Sequence, residues 1–163
     1  MLGIALSLFL SLLQAPPQTG AIVGVVRLPN GDMPARSAHV ALLPTKYTEA
    51  WNKQVQQRID NYWEIYKPEI IAKKELIFQL QRAAYVEAFA YITSMMRRDL
   101  GDGASKFIKD TSPAGQFEFR GVPFGTYQVL VHATSNGSEI VWSRTVEVQT
   151  DIPIFVDLGK PVS

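Results

Sequence analysis

The chain contains no cysteine and only two histidines among its 163 residues. Without cysteine, no disulfide, thiolate nucleophile or thiolate metal site can form. A hydrolytic zinc site needs about three His or carboxylate ligands, usually with two of them close together in sequence. Neither His39 nor His132 begins an H-x-x-E pair. The sequence therefore gives no support for a zinc hydrolase, and we expect both histidines to be strand residues at solvated or edge positions.

An excess of charge of either sign is also missing. The 16 Lys and Arg residues nearly balance the 15 Asp and Glu residues, which gives a formal net charge of +1. Nucleic-acid binding requires a basic face and binding to anionic lipid requires a polybasic segment, so both partners are disfavoured. The sequence also has no G-x-S-x-G elbow, phosphate-binding loop or dinucleotide fingerprint. We expect no enzyme, with no catalytic residues, no metal and no cofactor.

The N-terminal residues predict export. Residues 2–13 are apolar apart from two serines, and residues 14–19 are polar and proline-rich, which is the pattern of a secretory signal peptide. We expect a signal peptide over residues 1–15 and a linker over residues 16–20. The protein would then be periplasmic, in the outer envelope or extracellular. An uncleaved anchor is the alternative, although about a dozen apolar residues are too few to span a bilayer as a helix.

Residues 110–133 carry the clearest strand signal. Two alternating apolar runs flank a Gly-Val-Pro-Phe-Gly connection, which predicts a strand, a tight turn and a second strand. Because side chains alternate between the two faces of a strand, one face of each should lie in a core. The residues on that face are Phe117, Phe119, Tyr127, Val129 and Val131.

Seven segments in all predict strands. We expect the third, residues 105–111, to pair with the fourth, residues 115–120, as a hairpin. The fifth and sixth should pair through an Asn136-Gly137 turn, because this dipeptide suits the positive φ of a hairpin turn. The other predicted strands are residues 21–28, 39–43, 126–134, 139–148 and 152–158.

The motifs around the central turn resemble a known family. G-x-F-x-F at residues 115–119 is followed by G-V-P-x-G-x-Y at residues 121–127, and P-A-R-S-A-x-V stands at residues 34–40. This order resembles the carboxypeptidase regulatory-like family of small transthyretin-like, carbohydrate-binding-like β-sandwiches. The resemblance covers residues 21–43 and 105–158, and it implies a seven-stranded Greek-key sandwich. Members of the family are mostly non-catalytic modules of exported bacterial proteins.

Between the second and third predicted strands, the apolar residues no longer recur at every second position but at every third or fourth position. Residues 48–66 predict an amphipathic helix with Thr48 as its N-cap. Pro68 should break or kink it. A second helix is predicted over residues 69–99, with Gly101 as a left-handed C-cap.

The two helices should form an antiparallel hairpin. A single helix of about 50 residues would span roughly 75 Å and carry the chain far from the strand that it must rejoin. The predicted helices differ in length, at roughly 27 and 46 Å, so we expect an overhang or a bend.

The second helix is apolar on two sides. It should therefore pack both against the first helix and against the sandwich, unless one side is a binding surface. The hairpin accordingly either caps the sandwich or presents a helix face to a protein. One side contains Ile77, Ala84, Ala88, Tyr91 and Met95, and the other contains Phe78, Tyr85, Phe89, Ile92 and Met96.

Exposed aromatic rings would favour a different function, carbohydrate binding. Trp51 lies on the apolar side of the first predicted helix and Trp142 should point to the core, but Trp63 falls outside these patterns. Trp63, with the neighbouring Tyr62 and Tyr66, is therefore the candidate binding set.

These observations predict a mainly β protein with a helical insertion. The sandwich would occupy residues 21–158, interrupted by a helical hairpin at residues 48–102, with a C-terminal tail at residues 159–163. The predicted function is that of an exported, non-catalytic structural or protein-interaction module of the bacterial envelope, with an envelope protein as partner. Carbohydrate binding through exposed aromatics is the alternative.

Overall fold

The computed structural model describes residues 18–29, 34–35 and 37–159. The predicted signal peptide lies outside the described residues, as do residues 160–163 of the predicted tail. The first strand begins at Thr19, so the last two residues of the predicted linker belong to the sheet.

Seven strands and two long helices make up the described fold. Helical residues are as prominent as strand residues, so the architecture is mixed α/β rather than mainly β. Both helices lie between the second and third strands and are followed by a short 3-10 helix, Gly101–Lys106. The elements are β1 (Thr19–Val26), β2 (His39–Pro44), α1 (Thr45–Ala72), α2 (Leu76–Leu100), β3 (Ile108–Asp110), β4 (Gln116–Pro123), β5 (Gly125–Ser135), β6 (Ser138–Val148) and β7 (Ile154–Leu158).

The strands form a sandwich of two sheets. One sheet has the order β4-β1-β7 and the other has the order β3-β2-β5-β6. A single cluster of buried side chains from both sheets fills the space between them. The predicted core face is confirmed, because each of its five residues is at most 7% exposed.

The predicted hairpin between the third and fourth strands is wrong. β3 pairs with β2 and β4 pairs with β1, so the connection crosses from one sheet to the other. Thr111 holds the end of β3 to the loop before β2: its hydroxyl donates to the Ala35 carbonyl at 2.7 Å and accepts from the Ala38 amide at 2.9 Å. Alternation of apolar residues shows which face of a strand is buried, but it does not show which other strand pairs with it.

The Gly-Val-Pro-Phe-Gly connection at residues 121–125 also crosses from one sheet to the other. Phe124 alone separates β4 from β5, and the Tyr127 hydroxyl donates to the Pro123 carbonyl at 2.9 Å across the bend. The predicted strand-turn-strand order is confirmed, with the two strands in different sheets. The β5–β6 hairpin is confirmed as well, with positive φ at Asn136 and Gly137.

The helices form an antiparallel hairpin of nearly equal arms. α1 continues through Pro68 with a kink at Tyr66, and α2 begins only at Leu76. Of the overhang or bend that the sequence predicts, the structure has the bend, at Tyr66, and not the overhang. Thr48 is not the N-cap, because α1 begins at Thr45 and the Thr48 hydroxyl donates back to the Leu43 carbonyl at 3.3 Å.

The hairpin adds a third layer to the sandwich. Its proximal half packs on the outer face of the four-stranded sheet, where α1 and α2 bury large side chains against β2, β5 and β6. The buried helical residues are Tyr47, Trp51, Val55, Ala88, Phe89, Ile92 and Met96. α2 is capped by Gly101 as predicted and the Gly101 amide donates to the Arg97 carbonyl, but with φ of +54° and ψ of −128° Gly101 does not have the predicted left-handed helical conformation. Within the described ranges, neither helix combines the length and hydropathy of a membrane span.

Candidate interaction surface

The far half of the hairpin extends past the sandwich. Ile59 of α1 and Tyr85 of α2 are the last residues of each helix that pack against the buried helix–sheet cluster. We call residues 60–84 the distal hairpin. Because α1 runs thirteen residues beyond Ile59, the distal hairpin reaches roughly 20 Å further at 1.5 Å per residue.

A kink shapes the distal hairpin. Tyr66 has non-helical φ and ψ of −109° and 15°, and Pro68 two residues later has no amide hydrogen to continue the helical bonding. Beyond the kink, Ile70 is 6% exposed and lines the same small slot as Ile77 and Leu80 of α2. The last turns of α1 are thus held to α2 through Ile70.

Large apolar side chains remain in solvent on the distal hairpin. Nine such residues are exposed in the described chain, and five of them fall within residues 63–78. Because contiguous exposed apolar area is uncommon on soluble monomers, this concentration makes the distal hairpin the candidate interaction surface. The five are Trp63 (40% exposed), Ile65 (65%), Tyr66 (39%), Ile71 (66%) and Phe78 (65%).

The structure brings the three predicted site residues together, but their surroundings differ. Tyr62 and Trp63 line the slot between the helices, and the rings of Tyr62 and Tyr66 lie 6.2 Å apart. The Tyr62 hydroxyl donates to the carboxylate of Glu87, which also pairs with Arg58 at 3.2 Å. Tyr62 is therefore tied into the packing of the two helices, whereas Trp63 and Tyr66 are open to solvent.

The environment of Tyr62 changes its acidity. Burial, and then the hydrogen bond to Glu87, raise the pKa of Tyr62 from 10.0 to about 12. Both causes favour the neutral phenol, because the anion would lose solvation and would face a carboxylate. Tyr62 thus stays protonated at any physiological pH and acts as a hydrogen-bond donor between the helices.

The sequence patterns missed three exposed residues of the distal hairpin. Phe78 belongs to one of the two apolar sides of the second helix, for which the sequence leaves both burial and binding open, and no pattern singles out Ile65 or Ile71. Phe78 lies in the first turn of α2, beyond the reach of the sheet, so it stays exposed. Helical periodicity identifies an apolar side, but it does not show where the surface that covers it ends.

Charges on the distal hairpin are balanced. Four basic side chains face solvent there, and so do four acidic ones. A surface without net charge offers no attraction to anionic lipid or nucleic acid. The eight residues are Asp60, Glu64, Lys67, Glu69, Lys73, Lys74, Glu75 and Arg82.

The slot lined by Tyr62 and Trp63 is narrow. Its volume of about 30 Å³ is close to the share of one water molecule in the liquid, so a sugar ring does not fit inside it. A sugar would have to stack on the outer faces of the rings.

The two histidines lie on neighbouring strands of the sheet that faces the helices. His39 of β2 is directly opposite His132 of β5, and their side chains are 53% and 17% exposed. His39 thus occupies a solvated position as expected, while His132 is largely covered, with its ring 5.4 Å from that of Phe89. Across the described ranges, no group of three or more His, Asp or Glu side chains is arranged to hold a metal ion.

Comparison with known proteins gives distant structural likenesses. No family model matches the sequence, and no curated protein matches it. A candidate carbohydrate-binding protein of Pseudomonas aeruginosa aligns with 16% identity and a TM-score of 0.40, over 90% of this chain and 91% of that one. The pilus backbone protein RrgB of Streptococcus pneumoniae aligns with 15% identity and a TM-score of 0.36, over 85% of this chain and 40% of that one. The chain thus spans less than half of the pilus protein. The sandwich assignment rests on the strand order and the two-sheet core described above.

Proposed function

We propose that the protein is an exported, non-catalytic interaction module of the bacterial envelope that binds a protein partner through its distal hairpin. One observation carries this proposal: within the described part of the chain, five large apolar side chains are exposed on a helical segment that lies beyond the buried helix–sheet cluster. Ordering such a segment costs conformational entropy. Burial of this apolar surface in a complex would offset that cost.

The surface chemistry favours protein over the other classes of partner. The balanced charges give no attraction to anionic membranes or nucleic acids. Exposed Trp and Tyr flanked by aliphatic side chains are typical of the anchor residues of protein interfaces. The proposed contact set therefore joins the predicted Trp63 and Tyr66 with Ile65, Ile71 and Phe78, while Tyr62 supports the hairpin from within.

The family assignment belongs to the same proposal. Seven strands in sheets of three and four, together with the G-x-F-x-F and G-V-P-x-G-x-Y motifs, support a Greek-key transthyretin-like sandwich of the carboxypeptidase regulatory-like family. Members of that family are mostly exported and lack catalysis, which is the setting that we propose for this chain. The apolar pattern of residues 2–13 supports export.

Carbohydrate binding through the aromatic rings is the second candidate. Trp63 and Tyr66 are 40% and 39% exposed, so each ring has a face on which a sugar could stack. Saturable binding of an envelope polysaccharide that is lost in Trp63→Ala and kept in Phe78→Ser would favour this candidate over the first.

The proposal is tested by capture from envelope extracts with matched variants. Ile71→Ser combined with Phe78→Ser removes exposed apolar area from the distal hairpin. Ile152→Ser combined with Phe155→Ser removes a similar amount elsewhere, since those residues are 69% and 67% exposed. We expect one protein to be captured saturably by the wild type and by the second variant, and not by the first. Equal capture by both variants would refute binding through the distal hairpin.

A further inference from the structure

A separate cavity lies where α2 meets the four-stranded sheet. Its volume is about 250 Å³, near the lower end of the range for small-molecule sites. It is lined by the proximal half of α2, and so it is distinct from the distal hairpin. The lining residues that matter here are His39, His132 and Ile108 on the sheet and Phe89, Ser94 and Arg97 on the helix.

Two carboxylates orient the two histidines of this cavity. His39 Nδ1 is 2.6 Å from Asp110 Oδ1, and His132 Nε2 is 3.1 Å from Glu139 Oε1. The imidazole rings lie nearly parallel, 6.1 Å apart with an angle of 12° between their planes. A carboxylate can only accept a hydrogen bond, so each neutral ring places its N–H there and presents its other nitrogen as an acceptor.

The ring nitrogens left over are His39 Nε2 and His132 Nδ1. Neither forms a hydrogen bond with any residue that the structure describes. The sheet side of the cavity is thus lined by two imidazole rings, each held by a carboxylate and each with one nitrogen left to accept a hydrogen bond.

The helix side presents donors. Ser94 and Arg97 are three residues apart, so they share a face of α2. Neither side chain has a hydrogen-bond or ion-pair partner within the described part of the chain, whereas the adjacent Arg98 pairs with Asp99 at 3.4 Å. Phe89 is 5% exposed and supplies an apolar floor beside the ring of His132.

We propose that this cavity binds a small sugar acid. Sugar hydroxyls would donate to the two imidazole nitrogens, and the carboxylate of the ligand would accept from the Arg97 guanidinium, with Ser94 beside it. Asp110 and Glu139 are occupied by the imidazoles, and they lie on the sheet rather than on the helix that carries Arg97. A neutral sugar would forgo the charge-assisted hydrogen bonds to Arg97, and a carboxylate without hydroxyls would forgo the hydrogen bonds to the two imidazoles.

Calorimetric titration with matched ligands tests the class of ligand. The probes are D-galacturonate, D-glucuronate and D-mannuronate, compared with D-galactose, which lacks the carboxylate, and with cyclohexanecarboxylate, which lacks the hydroxyls. We expect saturable binding of at least one uronate, with both comparison ligands weaker by about tenfold or more. Binding of none of the three uronates, or equal affinity for a comparison ligand, would overturn the proposal.

Matched variants test the site. Arg97→Gln should weaken uronate binding by about tenfold or more, whereas Arg98→Gln, whose side chain is already paired with Asp99, should leave it unchanged. His39→Phe keeps a ring in place and removes one acceptor, so it should also weaken binding. In the wild-type protein, the imidazole resonances of both histidines should shift as uronate is added. Unchanged affinity in Arg97→Gln, or imidazole resonances that do not move at saturation, would place any uronate binding elsewhere.

Discussion

The ring of Phe117 lies directly over the backbone of Gly24, its partner across β1 and β4. The two residues are opposite each other in the register of the sheet, and a Cβ added at Gly24 would stand 2.1 Å from the ring's Cζ atom. Phe117 is 5% exposed and belongs to the core between the sheets. A large ring thus fills the space that a side chain on β1 would otherwise take.

Replacing Phe117 with Ala should destabilise the fold by about 3–5 kcal/mol, because it removes a buried ring and leaves a cavity over Gly24. Chemical denaturation at equilibrium measures this change. The matched control is Phe155→Ala on the outer face of β7, where the side chain is 67% exposed. Similar losses in the two variants would mean that Phe117 is not a core residue.

Adding a methyl group at Gly24 should also destabilise the protein, by about 1–3 kcal/mol, because the ring of Phe117 must move away from the new Cβ. In the Phe117→Leu background this penalty should shrink, because a smaller side chain leaves room. A double-mutant cycle on the free energies of unfolding measures the coupling. Strict additivity of the two changes would contradict the contact.

Gly115 and Gly137 both have positive φ, but only Gly115 is closely surrounded. A Cβ at Gly115 would lie 2.5 Å from the Val26 carbonyl oxygen, whereas one at Gly137 would meet nothing within 4 Å. We expect Gly137→Ala to cost about 1–2 kcal/mol from the backbone conformation alone. Gly115→Ala should cost at least about 3 kcal/mol, since the steric clash adds to that conformational cost. Equal thermal stability of the two variants would contradict this difference.

The raised pKa of Tyr62 predicts a contribution to stability that disappears in strong alkali. Because the folded pKa of about 12 lies above the ordinary value of 10.0, the contribution is fully present below pH 10. It is lost as the pH rises through 12. The difference in tyrosinate absorbance between the wild type and Tyr62→Phe should titrate near pH 12.

Glu87→Gln should move that transition to lower pH, because it removes the carboxylate that disfavours the tyrosinate. Glu64→Gln is the matched control and should leave it in place. A Tyr62 transition near pH 10 in the wild type would show that the Tyr62 hydroxyl is neither shielded from solvent nor hydrogen-bonded to Glu87.

Much of the fold could be predicted from local patterns. Alternation of apolar residues identified the core faces around Phe117 and Val129, and Asn136-Gly137 identified the β5–β6 turn, because these features depend on neighbours in sequence. The partner of β3 could not be predicted. Its three residues carry too little pattern to choose between the two sheets, and the deciding hydrogen bonds of Thr111 join residues more than 70 positions apart.

The candidate surface was only partly predictable, for a similar reason. Trp63 stood out because it departs from the helical apolar stripe. Ile71 and Phe78 did not stand out, because apolar residues on a helix are usually covered by a neighbouring element. They are exposed only because no neighbouring element extends far enough to cover them. Here the covering surface ends at Ile59 and Tyr85, the last residues of the two helices that pack against the buried helix–sheet cluster. Its extent depends on how the helices and the sheet are assembled, which the sequence of one helix does not show.

The central claim is that the distal hairpin contacts a protein partner, and photo-crosslinking in living bacteria tests it most directly. The photoreactive amino acid p-benzoylphenylalanine would replace Ile71 in one protein and Phe155 in another, two positions of nearly equal exposure at 66% and 67%. The account predicts a discrete protein adduct from position 71 that is absent from position 155. No adduct from position 71, or the same adducts from both positions, would contradict it.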